Sequence, residues 1–162
     1  MAPQRAYVGL GANLGDARAT LQDALRRIAA LPQTQLLRAS AFYRSAPVDA
    51  GGPDFVNAVA ELSTTLEPLA LLRALQAIEL EHGRERPYRN APRTLDLDLL
   101  LHGDTRQQDP VLTLPHPRGH ERAFVLRPLA DLSPGLAWPG RGTVETLATA
   151  ITDQPIEKLP SA

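Results

Sequence analysis

With 162 residues, the chain is long enough for one domain that buries about two-thirds of its unfolded surface, so it needs no staple to fold. Cysteine is absent, which excludes a disulfide framework, a thiolate zinc site and a cysteine nucleophile, and suits a reducing compartment. The net charge of -1, from 17 basic and 18 acidic residues, excludes a basic footprint over the whole domain, and a single lysine, Lys158, excludes a lysine-centred phosphate loop or Schiff base.

Met1 to Val8 carries no long apolar run behind Arg5, and no stretch approaches the roughly 20 apolar residues that cross a bilayer. Neither a signal peptide nor a membrane helix is expected, and the expected compartment is cytoplasmic. Arg5 to Gly11 reads as a short strand. It feeds a helix with Leu21, Ala24, Leu25, Ile28 and Leu31 at helical spacing, behind the cap candidates Asn13 and Asp16 and ahead of the stop at Pro32. Leu36 to Ser45 and Asp54 to Leu62 read as two antiparallel strands, with Pro47, Gly51, Gly52 and Pro53 between them. A second helix is expected from about Pro68 to His82, burying Leu71, Leu72, Leu75 and Ile78, with Gly83 at its C-terminal cap. Leu95 to Leu101 makes a further strand, Glu121 to Leu132 a short helix around Pro128, and Thr143 to Ile151 a last helix. The Gly/Pro-rich stretch from Ser133 to Gly142 sets off a short tail. The order β-α-β-β-α-β gives an α+β fold class: a ferredoxin-like split βαβ core, mainly antiparallel sheet with helices packed on it. One domain is expected over residues 1–162.

In Leu95-Asp96-Leu97-Asp98-Leu99 the alternation sends both carboxylates to one face of a strand and the leucines to the other. Two readings are open. One is a solvated acidic face; the other is a magnesium site, since Mg²⁺ takes carboxylate oxygens together with substrate phosphates and waters and relieves the repulsion between the two acids. Upstream, Arg84, Arg86, Arg89 and Arg93 lie in a segment broken by Pro87 and Pro92. Guanidinium forks match phosphate oxygens, so one segment supplies both counter-charges of a metal-bound polyphosphate, unless the run is merely a charged surface loop.

On the second helix Gln76 and Glu79 are surface neighbours that can face a ligand beside the arginine segment, or simply solvent. The stretch Pro115 to Arg122 adds His116, His120, Arg118 and Arg122. Pro117 and Gly119 break the helical turn a zinc pair would need, so phosphate contact suits these residues better. Phe55 and Asn57 share one side of their strand, pairing a flat apolar surface with a two-way amide that suits a planar heterocycle, and Phe124 offers a second ring. Core packing of both rings is the alternative.

Five blocks carry a resemblance that runs nearly end to end: Gly11-Ala12-Asn13-Leu14-Gly15-Asp16, Phe42-Tyr43-Arg44-Ser45, Pro53-Asp54-Phe55-Val56-Asn57-Ala58, Pro92-Arg93-Thr94-Leu95-Asp96-Leu97-Asp98 and Pro115-His116-Pro117-Arg118. Together they resemble the 6-hydroxymethyl-7,8-dihydropterin pyrophosphokinase family of folate biosynthesis, whose members move the terminal diphosphate of ATP onto a pterin alcohol and release AMP. The resemblance implies that Asp96 and Asp98 coordinate two Mg²⁺ ions on the ATP phosphates. It implies that Gln76, Glu79, Arg84, Arg86, Arg93, His116 and Arg122 line the nucleotide side, with backbone near Leu99 and Thr113 holding adenine. The pterin would lie between Phe55 and Phe124, its edge read by Asn57 and the backbone of Ser45 and Val48. Arg84 and Arg93 would neutralise charge developing during transfer, and Arg84 to Ala91 would close over the substrates as a lid. The chain departs from the family at Asn90 and Ala91, where an aromatic and a glycine are usual; Tyr88 is the candidate replacement. The implied partners are ATP and the pterin, with no nucleic acid and no membrane, acting as a monomer.

Other readings fit less well. Gly9, Gly11 and Gly15 do not have the spacing of a dinucleotide-binding turn, and the next strand carries Arg38 and Arg44 in place of a closing acid. A nucleotidyltransferase would want its Gly-Ser signature close to the acids. An RNA-binding module on this topology would need exposed aromatics and a basic sheet face.

Overall fold

The computed structural model describes residues 2–46, 53–82 and 95–160. Strand β1 (Gln4–Ala12) leads into helix α1 (Ala17–Ala29), where the Asp16 side chain accepts the Ala19 N–H at 3.1 Å and so caps the first turn. Of the two cap candidates, Asn13 instead donates to the Pro53 carbonyl at 3.2 Å. Strands β2 (Thr34–Ala39), β3 (Tyr43–Ser45) and β4 (Phe55–Thr64) follow, then helix α2 (Pro68–Glu81) and strand β5 (Asp96–His102). These pair antiparallel in the order β3-β4-β1-β5, with β2 also on β4, which is the expected ferredoxin-like arrangement. Gly83, the expected cap of α2, lies outside the described residues.

The sheet has two covered faces. Ala6, Val8, Leu10 and Ala12 alternate along β1 onto α1 and α2, meeting Leu21, Ala24, Ile28, Leu71, Leu75 and Ile78. Leu21, Leu71 and Leu75 are fully buried, each stabilising the fold by roughly 1.5–3 kcal/mol relative to exposure. Leu72, expected in that core, is only partly buried. The opposite face packs on helix α3 (Ala123–Leu132) and helix α4 (Val144–Ala150), through Tyr7, Val59, Leu126, Leu129, Trp138 and Val144.

A bulge joins the two cores. Val8 pairs with Leu99 and Tyr7 with Leu101, leaving Leu100 as the extra residue of β5. Leu97 and Leu99 therefore enter the first core while Leu100 and Leu101 both enter the second.

Two expectations are corrected. The strand expected over 36–45 is split into β2 and β3 around Ser40, whose hydroxyl accepts the Val59 N–H at 2.9 Å and donates to the Ala41 carbonyl at 2.8 Å, bending the chain where a ladder would continue. Nor is the tail set apart. Strand β6 (Gln107–Gln108) pairs with β7 (Thr113–Leu114), and β8 (Ala137–Trp138) with β9 (Gly142–Thr143), before α4 packs on α3; β10 (Ile156–Lys158) then joins β3 as the sixth strand of the main sheet.

Candidate active site

The floor of the site is a patch of sheet opened by two glycines of β1. On β1, Gly11 pairs with Asp96 and Gly9 with Asp98, so the two carboxylates rise from the same face as the two glycines. A side chain at Gly11 would meet Asn57 Nδ2 at 3.3 Å, and one at Gly9 would touch Leu100 at 3.6 Å. Glycine here leaves open the space beside the acids. That space is a cavity of about 850 Å³, walled by β4, the start of α3 and the tail residues Asp153 to Ile156.

Phe55, Asn57, Ser45 and Phe124 all line this cavity. Asn57 is buried, and the Ser45 hydroxyl donates to its Oδ1 at 2.6 Å. With that oxygen engaged, the amide presents its Nδ2 donors. Ser45 entered the sequence reading only through its backbone; its side chain also orients the amide. Arg122, at the entrance to α3, lies with its guanidinium 5.5 Å from the Phe124 ring centroid.

A second cavity, of about 300 Å³, lies on the other side of the acids. Leu72, Leu97, Leu99, Leu112, Thr113 and His116 line it together with Asp98, which therefore stands in the wall of both. The His116 Nδ1 accepts the Arg118 N–H at 3.1 Å, which leaves the imidazole proton on Nε2 as a donor. Burial holds its pKa below the ordinary value, against the pull of Asp98.

The remaining predicted residues divide. Glu79 is buried, and its Oε2 accepts the Leu97 N–H at 2.8 Å, so it supports the outer edge of the strand between the two acids. Gln76 is exposed on α2 and lines neither cavity. Arg122, grouped with the nucleotide residues, lines the larger cavity. The His120 ring lies 6.2 Å from that of Trp138. Val48, Arg84, Arg86 and Arg93 lie outside the described residues, as do Tyr88, Asn90, Ala91 and the expected lid.

The chain matches the family described as 7,8-dihydro-6-hydroxymethylpterin-pyrophosphokinase (HPPK) over residues 7–134. A protein of Pseudomonas aeruginosa named 2-amino-4-hydroxy-6-hydroxymethyldihydropteridine pyrophosphokinase is 50% identical over 160 residues, covering 98% of this chain and 99% of that one. The chain belongs to the HPPK family. A Haemophilus influenzae protein of the same name is 43% identical over 155 residues, 95% of this chain and 97% of its own. A solved structure from Plasmodium falciparum, described as HPPK-DHPS wild type with pteroate, shares the fold with a TM-score of 0.72 and 14% identity over 91% of this chain. This chain spans 42% of that longer one.

The HPPK match ends at Leu132-Ser133-Pro134, so the tail wall of the larger cavity lies beyond it. Sequence reasoning missed that wall, because β10 is three residues long, too short to show a period. It also missed the glycine floor. The signal was present: Gly9-x-Gly11 has the same two-residue period as Asp96-x-Asp98, so on paired strands the four positions share a face.

Proposed function

We propose that this HPPK-family chain transfers the diphosphate of ATP to the hydroxymethyl oxygen of 6-hydroxymethyl-7,8-dihydropterin in folate biosynthesis, releasing AMP. The observation that carries the reading is that Asp98 stands in the wall of both cavities. A nucleotide in the smaller one and an acceptor in the larger would meet at a carboxylate, where a polyphosphate needs its metal.

The donor set fits magnesium. Asp96 and Asp98 offer oxygen ligands from one strand face, and among the described residues no group of three His, Cys, Asp or Glu gathers to enclose an ion. Such a pair leaves positions for phosphate oxygens and water, as Mg²⁺ prefers. Asp96 and Asp98 would hold two such ions, which when bound would neutralise charge on attacking and leaving oxygens.

The chain's own groups do the rest by positioning. Leu99 and Thr113 offer backbone to the adenine, and His116 donates through Nε2 to a phosphate. Gln76 and Glu79 belong to this side by resemblance, Glu79 through the strand it supports. Arg122, with Arg84, Arg86 and Arg93 from outside the described residues, balances the phosphate charge. Phe55 and Phe124 take the faces of the pterin, while Asn57, Ser45 and Val48 read its edge. The chain acts as a monomer on these two small molecules, with no nucleic acid or membrane.

The test is direct. Purified protein with ATP, Mg²⁺ and 6-hydroxymethyl-7,8-dihydropterin is expected to release AMP in step with pterin diphosphate. Release of ADP or of inorganic pyrophosphate instead would refute the reading.

A further inference from the structure

Arg122 occupies an awkward place. It is the residue before α3, has extended backbone, and gives the helix no side-chain cap. The first N–H groups of a helix have no partner within it. Here one of them finds a partner 31 positions along the chain: the Ala123 N–H donates to Gln154 Oε1 at 2.9 Å. The other end of the same amide, Gln154 Nε2, donates to the Glu121 carbonyl at 2.9 Å. One side chain thus grips the peptide groups on both sides of Arg122.

The grip is anchored at its far end. Two residues on, Ile156 pairs with Ser45 in the main sheet, and the Leu159 N–H donates to the Phe42 carbonyl at 2.8 Å. The tail therefore ties the start of α3 to β3, the strand that orients Asn57. The Arg122 N–H already donates to the Gly119 carbonyl at 3.2 Å and its carbonyl accepts the Leu126 N–H at 3.0 Å; the Gln154 clamp adds one bond on each flanking peptide and ties this short link to the returning tail.

We infer that Gln154 is a positioning residue for the proposed reaction: it clamps the backbone around Arg122 so that the guanidinium faces the phosphates. The inference rests on the function proposed above and goes beyond it, since that reading gives Gln154 no role. Gln154 itself is exposed, so its loss leaves the core intact.

The test is a double-mutant cycle with Gln154→Leu and Arg122→Ala, measured as AMP release against ATP concentration with urea unfolding alongside. Gln154→Leu is expected to raise KM for ATP about five- to tenfold, the worth of one or two hydrogen bonds. It should leave kcat within about twofold and the protein fully folded without urea, with the urea midpoint lowered by no more than the two lost bonds account for, and it should add nothing to KM in the Arg122→Ala background. A purely structural role would lower kcat with the folded fraction and leave KM alone. An unchanged KM, or losses that multiply in the double variant, would overturn the inference. If leucine disturbs folding, Gln154→Ala drops the same two bonds and is judged by the same criteria. Wild-type protein that releases no AMP refutes the function, whereas wild-type release with multiplying losses refutes only the role of Gln154.

Discussion

Asp98 pairs with Gly9 across the sheet and borders both cavities. Replacing it with asparagine keeps the shape and removes the charge. Asp98→Asn is expected to lower AMP release about a hundredfold or more, the scale seen when one preorganised electrostatic partner is lost, with the urea midpoint unchanged. Near-normal turnover with magnesium would sink the assigned role. Glu61 is a different kind of acid. It is 2% exposed, yet Arg38 Nε donates to it at 2.7 Å, Tyr7 Oη at 2.8 Å and Arg5 Nη1 at 3.0 Å. Burial alone would raise its pKa; the bonds from Arg38 and Tyr7, with Arg5 behind them, outweigh it and hold the carboxyl below its ordinary value of 4.5. A group whose folded pKa is depressed contributes stability above its unfolded value and loses it as pH falls through the folded one. Both arginines are at least half exposed, so solvent screens their share. Glu61→Gln is therefore expected to cost about 1 to 3 kcal/mol at neutral pH, toward the lower end. That cost should shrink in denaturant titrations run progressively below pH 4.5. A cost independent of pH would show that the charge of Glu61 contributes nothing.

Among the elements, the short turn Gly119–Glu121 matters beyond its length, because it separates His116 and Arg118 from Arg122. Its first residue has no room for a side chain: a Cβ at Gly119 would lie 2.6 Å from Trp138 Cη2 and 3.2 Å from Cζ2. Trp138 is 1% exposed within the second core and cannot swing aside as a flexible chain end would. Gly119→Ala is expected to destabilise by about 1 to 3 kcal/mol, the usual cost of overpacking. Trp138 is the only tryptophan, so its fluorescence during unfolding reports the change at the site of strain; an unchanged midpoint would mean the turn yields freely. How legible each element was follows from its length and partners. Helices α1 and α2 run 13 and 14 residues, long enough for their apolar period to show, and β5 declared itself by alternation. Strands β6 to β10 have two or three residues each, below the length at which any period exists. The break between β2 and β3 depends on Ser40 meeting Val59, a contact 19 positions apart that no local pattern contains. The carboxylate pair was likewise legible because one strand carries both acids. Gln154 was not, because its meaning lies wholly in where the returning tail puts it.

For the molecule as a whole, two cavities that meet at Asp98 would, on the proposed function, make metal, nucleotide and stability parts of one equilibrium. A ligand that binds only the folded chain stabilises it by mass action, about 2.7 kcal/mol at a hundred times its Kd. For a chain of this length each kcal/mol raises Tm by about 2–4 °C, so saturating Mg-ATP is expected to raise Tm by about 5–10 °C. On the proposed reading the acids stand between nucleotide and acceptor, and apart from Asp109, Thr113 and His116 the remaining described walls of the smaller cavity are apolar: Leu72, Leu97, Leu99, Pro110, Val111, Leu112 and Pro117. The triphosphate's share of the binding should then depend on the ion, and the adenine's should not. Chelating the magnesium is expected to remove most of the shift given by ATP, and Asp98→Asn to remove it with magnesium present. Adenosine, which carries no phosphate, should give a small shift that magnesium does not change. Differential scanning fluorimetry of wild type and variant against both ligands, with and without chelator, makes the comparison in one experiment. An ATP shift that survives chelation undiminished would place the triphosphate away from the acids, and the meeting of the two cavities would then have to be explained without a metal.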